Sequence, residues 1–418
     1  MGVHRGRPRR DAACQGCVRP AGHPQSRQDL PRRHPQAGPP RRSIRARVGG
    51  KVVVTAVAGS ATDKPATAEE LARRLHQAAE AGTAVIPVGG GRASGMGDVT
   101  ERRGVALHTS RLDRVIEHSQ ADMVVTVEAG ITLEALQAHL AKSGQFLPID
   151  PFNSPGHTIG GLLATGWSGP LRLRFGSARD FLIGIRVALP DGKLASGGGR
   201  VVKNVSGYDM MKLHYGALGS LGVIVAASFK VFPRPLHDVT LEASRPSFDE
   251  AWTEAERVLS LPLAPSALEL FSDGRMLARF SGSPDAVNRT AAECGWATGD
   301  ESVWSDHSRR APERWARIAV PRTELKRILK ALPHGEGWWA SPGVGIAHWP
   351  VDATANAVLD MRAKVESAGG TLVMLSAPPD FMQQVGAWGT PPPTLEIMRR
   401  LKDAFDPKGI LNPGRFVV

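Results

Sequence analysis

Residues 156–222 read GHTIGGLLATGWSGPLRLRFGSARDFLIGIRVALPDGKLASGGGRVVKNVSGYDMMKLHYGALGSLG, and this stretch decides the fold. It holds 15 of the chain's 46 glycines in 67 of its 418 residues. Glycine this dense beside strand-forming runs costs backbone entropy unless close approach or positive φ requires it. A ligand lying against bare main chain supplies such a requirement.

Working outward, FLIGIRVALPDGKLAS (181–196) alternates apolar residues around Pro190-Asp191-Gly192, which predicts a β-hairpin. Val223 to Phe232 predicts a further strand, and the prolines at 233 and 235 mark a boundary. Upstream, Thr67 to Gly82 predicts an amphipathic helix with Leu71, Leu75, Ala78 and Ala79 on one face. Thr67 is its candidate N-cap, with Glu70 three residues later. The short strand TAVIPV then runs into GGGRASG, a strand–helix–strand rhythm. Residues 105–119 read as one strand, 123–130 as a second and 132–143 as a helix.

Beyond Pro235, LEASR, ALELFS, MLARFSG, GIAHWP and TLVMLSA read as strands, with SFDEAWTEAERVLS and PDAVNRTAAECG as helices between them. That order predicts an antiparallel sheet with helices on one face. A last helix, Thr394 to Phe405, precedes a turn-rich end. The expected class is α+β, with a tail over 1–51, a first domain over 52–235, a smaller sheet-and-helix domain over 236–390 and a C-terminal segment over 391–418.

The sequence pI of about 10.1 suggests nucleic acid, but the charge is localised. Twelve arginines and Lys51, against Asp11 and Asp29, give residues 1–51 eleven of the twelve net positive charges. The remainder is near neutral, so no nucleic-acid partner is expected for the folded body. The tail is rich in Arg, Pro and Gly and nearly free of apolar residues, which predicts disorder. Its composition favours a mis-called start, with the product beginning near Val52 to Val57. A nucleic-acid or anionic-surface role and a targeting segment are the alternatives. Cys14, Cys17 and Cys294 are the only cysteines, too few for the usual iron–sulfur cluster and for a disulfide framework. A reducing, cytoplasmic setting is expected. No metal-ligand spacing such as H-E-x-x-H occurs.

Four glycine-rich groups carry the chemistry. Gly89, Gly90 and Gly91 follow a strand, so their N–H groups can form a nest for an anion. Arg92 and Ser94 add a charge and a hydroxyl suited to phosphate. No G-K-[ST] follows, so this is not a P-loop. Thr158-Ile159-Gly160-Gly161 with Gly166 repeats the pattern of small residues beside an apolar core. Lys203 and Asn204 join charge and amide at a turn, and Gly219 and Gly222 precede a Val- and Ile-rich strand. Taken singly, each is equally a tight-packing glycine or a solvated lysine. Their order in one domain points to a flavin dinucleotide.

These segments resemble the FAD-binding domain of the vanillyl-alcohol oxidase and p-cresol methylhydroxylase (PCMH-type) superfamily, and within it the FAD-binding subunits of bacterial glycolate oxidase. The carrying motifs are PVGGGRASG (87–95), HTIGGLLATGWSGP (157–170), RFGSARDFLIGIRVALPDG (174–192), GGGRVVKNVSGYDMMKL (197–213) and GALGSLGVI (216–224). DAFDPKGILNPGRF (403–416) matches the same group's C-terminal signature. The resemblance implies a two-lobed FAD domain plus a cap domain. Gly89 to Ser94 would cradle the pyrophosphate. Thr158 to Gly161 and Gly166 would line the dinucleotide, with Arg179, Asp180, Lys203 and Asn204 around the same cavity. Gly219, Gly222 and Ile224 would run beside the adenine half, and Asn412 and Arg415 would return from the C-terminus. Ala217 and Ser220 stand where Ser and Thr are commoner in the group. No residue matches a covalent flavin position, and His157, expected at the surface, leaves FAD non-covalent.

The implied activity is oxidation of a small 2-hydroxy acid such as glycolate to the 2-oxo acid. Electrons would pass to a second flavin subunit and an iron–sulfur subunit, with any membrane association peripheral and through partners. An accessory electron-transfer subunit without its own substrate chemistry is the alternative. The sequence does not yield the catalytic base. His348 and His334 lie in the second domain and Arg279 is a candidate for holding a carboxylate, but single polar residues of this kind are usually structural. A sister reading, a cell-wall precursor reductase using NADPH, is opposed by Ser168-Gly169-Pro170 and DPKGILNPGR.

Overall fold

A computed structural model describes residues 62–100, 102, 104–199, 209–332 and 337–418. The basic tail, Lys203, Asn204 and His334 lie outside the described residues.

The first helix, Ala68–Glu80, starts where its cap predicts: the Thr67 hydroxyl accepts the Glu70 N–H at 3.0 Å. The Glu70 carboxylate reaches back to the Ala66 N–H at 2.9 Å. Leu71 and Leu75 are fully buried, each contributing about 2 kcal/mol through burial of apolar surface. They cover a parallel three-stranded sheet of Thr62–Asp63, Gly104–His108 and Ala84–Val88. The C-terminal segment returns to its edge, where Val85 N–H donates to Ile410 O and Asn412 N–H to Val85 O.

The run 105–119 is not one strand. It breaks after His108, and Val115–Ser119 joins a different, antiparallel sheet of five strands. Packing dictates the break. Leu112 is fully buried, its carbonyl accepts the Gly130 N–H at 2.7 Å, and a Cβ on Gly130 would stand 1.9 Å from Thr109 O. The five strands run in the order Val115–Ser119, Val124–Glu128, Val223–Lys230, Leu182–Ala188, Leu194–Gly198. The hairpin at 190–192 is as predicted, with Ala188 opposite Leu194 and Gly192 at φ +83°.

A third sheet has eight antiparallel strands, in the order Ala297–Thr298, His237–Ser244, Arg275–Gly282, Ala267–Phe271, Trp339–Ser341, Ile346–Pro350, Trp315–Ala319, Thr371–Ser376. Its two faces follow the period-2 alternation of side chains. Leu270, Ala316, Ile318 and Trp349 face helices such as Phe248–Leu259 and Ala355–Ser367. Trp315, Trp339, Val373 and Leu375 share a core with Val125, Leu162 and Phe229 of the five-stranded half. Helices on one face and the flavin-motif half on the other make this an α+β layer structure.

Candidate functional site

Three segments build the site: the loop after the Ala84–Val88 strand, the short helix Ile159–Thr165, and the C-terminal return. Thr158 joins the first two. Its hydroxyl accepts the N–H groups of Gly90 and Gly161, each at 3.3 Å, and so N-caps the helix while pinning the loop. The glycines permit this approach. A Cβ on Gly89 would stand 2.1 Å from Thr158 Oγ1, and one on Gly90 would stand 1.8 Å from Gly156 O. Both positions line the cleft through their backbone, but neither has room for a side chain, because the Thr158 hydroxyl stands beside Gly89 and the Gly156 carbonyl beside Gly90. Room exists at Gly91 and Gly161, where a Cβ would meet only Ser94 Oγ at 3.8 Å and Thr158 Oγ1 at 3.1 Å.

Against these loops lies a cleft of about 970 Å³ of empty space, partly open to solvent. Gly89, Gly90, Gly91, Arg92, Ser94, Thr158, Gly161, Asn412 and Arg415 line it, together with Arg102. A second cavity of about 380 Å³ shares Val88, Gly89, Gly161 and Leu218 with it, and adds Gly160, Gly219 and Ile224. The two make one elongated trough. Among the described residues no Asp or Glu lines either. Arg102 donates to the carbonyls of Gly409 and Gly82, and Arg415 to those of Ser94 and Met96. These bonds fix the guanidinium groups without neutralising them. Burial pushes the Arg415 guanidinium below its usual range. Asn412 donates to Leu218 O at 2.7 Å, yet its Oδ1 is buried without a partner. An orphaned acceptor costs about 1–3 kcal/mol unless a ligand donor meets it. An elongated, acid-free trough with three arginines, bare main chain and one free acceptor fits a dinucleotide with its pyrophosphate.

The other expected residues divide. Ile159 points into the core, with its N–H donating to Ile131 O at 3.0 Å. Gly166 caps the helix at φ +67° under the Tyr215 ring and does not line the trough. Gly222 packs against Val187, which a Cβ would meet at 2.5 Å. Arg179 and Asp180 are exposed and outside the trough. The Asp180 carboxylate is used locally, accepting the N–H and hydroxyl of Ser177. His157 is not at the surface: it is 3% exposed, lines the cleft and hydrogen-bonds Phe152 O through Nε2 at 2.8 Å. Burial holds its pKa down.

In the eight-stranded sheet, Arg279 is engaged by Asp238, with Nε donating to Oδ2 at 2.7 Å. His348 is buried and stacked on Trp339, ring centroids 5.3 Å apart. Burial, then the charge of Arg317, keeps it neutral with a pKa well below the usual value. Trp315 Nε1 donates to its Nδ1 at 3.2 Å, so the ring's single proton sits on Nε2. It is a donor there, not a base. Sequence reasoning missed Arg102, which sits in the uninformative run TERRG, and Arg317, one arginine within a strand.

Comparison with known proteins agrees with this geometry. Residues 60–198 match the family described as "FAD binding domain", and residues 387–416 match "FAD linked oxidases, C-terminal domain". Glycolate oxidase subunit GlcE of Escherichia coli (strain K12) is 30% identical over 311 residues, covering 72% of this chain and 84% of that protein. A D-2-hydroxyglutarate dehydrogenase of Xanthomonas citri pv. viticola is 29% identical over 418 residues, covering 84% of this chain and 88% of that one. The solved structure of an alkyldihydroxyacetonephosphate synthase superposes with a TM-score of 0.63 at 17% identity, covering 85% of this chain and 77% of that one, and shares the fold. The trough, the two family matches and the relatives together place the chain in the PCMH-type FAD-linked oxidase family, alongside the glycolate oxidase subunits, as an FAD-dependent oxidoreductase.

Proposed function

We propose that this chain is the FAD-binding subunit of a 2-hydroxy-acid dehydrogenase, taking a small acid such as glycolate to the 2-oxo acid. The observation that carries the cofactor half is the acid-free trough with its three arginines and the free Asn412 Oδ1. The substrate half is supported by relatives named for glycolate and for D-2-hydroxyglutarate.

Bound FAD supplies a two-electron acceptor for the hydride leaving the α-carbon. The chain's own residues hold it non-covalently. Gly91 and Gly161 leave the space, Arg92, Arg102 and Arg415 balance the pyrophosphate charge, and Asn412 Oδ1 accepts a ligand donor. Gly219 and Ile224 border the far end of the trough. Residues 52–235 and 391–418 are taken to form the flavin unit and 236–390 the cap. His348 can orient an acceptor through Nε2–H but does not remove the hydroxyl proton. We place the protein in the cytoplasm. Among the described residues no helix is long and apolar enough to cross a membrane. With three cysteines, electrons leave through a partner that carries an iron–sulfur cluster.

The test is anaerobic mixing of the flavin-loaded chain with glycolate, D-lactate and D-2-hydroxyglutarate. Bleaching of the flavin by one of them is expected. A flavin that stays oxidised with all three, yet accepts electrons from a second flavin protein, would make the chain an accessory electron carrier.

A further inference from the structure

Arg279 was the sequence's candidate for a carboxylate, and Asp238 occupies it. Arg317 has no such partner. It lies mid-strand in Trp315–Ala319, opposite His348 on one side and Val373 on the other, on the face turned toward the flavin half. Among the described residues no carboxylate or carbonyl accepts a hydrogen bond from its guanidinium. It is surrounded by protein yet keeps part of its surface accessible. Burial, then the positive charge of Arg172, holds its pKa below the usual range.

Arg172 comes from the opposite half, at the start of the short helix Arg172–Phe175, and among the described residues its guanidinium donates to Ser168 Oγ alone, at 3.3 Å. Tyr215 lies within electrostatic reach of both arginines. Its hydroxyl is buried, and among the described residues the one group beside it is the Ser177 hydroxyl, which gives its own hydrogen to Asp180 and can only accept from the tyrosine. Trp167 Nε1 and Trp339 Nε1 are likewise buried and unpartnered, and both rings flank Trp315, with centroids 5.6 and 6.0 Å away. The seam between the halves thus gathers two guanidinium groups, a hydroxyl and two indole N–H groups. Asp180, the carboxylate in reach of Tyr215, is exposed and committed to Ser177.

Each buried donor without an acceptor costs stability, and two unneutralised like charges add repulsion. A ligand that accepts from all of them removes that cost. Paired planar guanidinium forks match a carboxylate better than any neutral group. We propose that Arg317 and Arg172, assisted by the Tyr215 hydroxyl, hold the substrate's carboxylate at this seam, so that the acid itself ties the sheet to the flavin half. The proposal rests on the 2-hydroxy-acid reading above for the source of that carboxylate. An anionic charge on the reduced flavin ring is the other source of the same chemistry, and the test separates the two.

The experiment titrates the full flavin-loaded chain with oxalate, a carboxylate it cannot oxidise, and with acetamide as the uncharged control. Tryptophan fluorescence and thermal shift are the readouts, because Trp167, Trp315 and Trp339 surround the seam. Oxalate is expected to quench and stabilise the parent, and acetamide to do neither. Arg317→Gln and Arg172→Gln should each weaken oxalate about tenfold to a hundredfold, the loss of a charged hydrogen bond, with flavin content unchanged. Arg317→Lys and Tyr215→Phe, milder changes, should fall between these and the parent, and they carry the test should a Gln variant fail to fold. Unchanged oxalate affinity in the Arg317 and Arg172 variants overturns the proposal. So does an altered flavin reduction potential with carboxylate binding intact, which would assign the arginines to the ring. An oxalate response lost in the variants, in a protein that oxidises no 2-hydroxy acid, keeps the anion site and defeats the activity reading instead.

Discussion

A methyl group added at Gly161 separates cofactor binding from folding. Gly161 lies in the Ile159–Thr165 helix and lines both cavities of the trough. A Cβ there meets only Thr158 Oγ1 within 4 Å, at 3.1 Å, a contact relieved by a shift of a few tenths of an ångström. Glycine-to-alanine in a helix contributes about 1 kcal/mol, so Gly161→Ala should leave the flavin-free fold as stable as the parent or more so. The methyl enters space the dinucleotide needs. Overpacking of this kind costs about 1–3 kcal/mol, which is roughly a tenfold to hundredfold weaker FAD affinity. The assay removes the flavin, measures Tm, then titrates FAD back against the visible spectrum. FAD binding as tight as the parent's would refute the placement of the ligand along this helix, whatever the Tm.

The neighbouring loop should behave in the opposite way. Gly90→Ala drives a Cβ into Gly156 O at 1.8 Å, and should cost more than about 3 kcal/mol in the flavin-free protein, read by urea unfolding; normal stability there would show that the two loops do not touch. Asp406 closes the C-terminal return, accepting the Ile410 and Leu411 N–H groups and the half-buried Lys402 ammonium. Asp406→Ala should destabilise by about 1–3 kcal/mol and shed flavin, because it leaves the Ile410 and Leu411 N–H groups without their acceptor and the Lys402 ammonium with only the Ser220 and Leu411 carbonyls; a stable, flavin-replete variant would contradict it. Asp150 carries a pH prediction. Burial pushes its carboxyl up to about 8, outweighing the Leu171 N–H hydrogen bond and the charge of Arg279. The unfolded chain ionises near 3.8, so this group's contribution to stability is full below that pH and is lost as pH rises toward 8, by at most about 6 kcal/mol. Asp150→Asn keeps the acceptor for Leu171 and should gain stability over the parent between pH 5 and pH 8 by thermal melts; parallel curves would count against a protonated Asp150.

The parts of this fold that were legible in sequence are those written in local chemistry. Thr67 with Glu70 announced a helix start, and Pro190-Asp191-Gly192 a hairpin, because both are satisfied by neighbours in the chain. The glycine loops were legible as loops, but not their reason. Gly89 and Gly90 are bare because Gly156 and Thr158, nearly seventy residues away in sequence, lean on them. The Ile159–Thr165 helix escaped because its seven residues, IGGLLAT, hold two glycines and too few turns for a 3.6-residue period. Residues 105–119 looked like one strand since nothing local records that Leu112 must turn inward beneath Gly130. Arg279 and Arg317 are indistinguishable in sequence. Only the register of the eight-stranded sheet gives one an Asp238 and leaves the other facing Arg172.

The claim beneath all of this is that the arginine-lined trough holds FAD without a covalent bond. The direct measurement is the visible spectrum of the purified full-length chain, followed by denaturation and analysis of what stays in solution. The account predicts an oxidised-flavin spectrum, with a stoichiometric amount of FAD released intact into the supernatant. A flavin that stays on the denatured chain would contradict the non-covalent claim and direct attention to His157. A colourless protein that takes up no FAD from solution would contradict the claim itself.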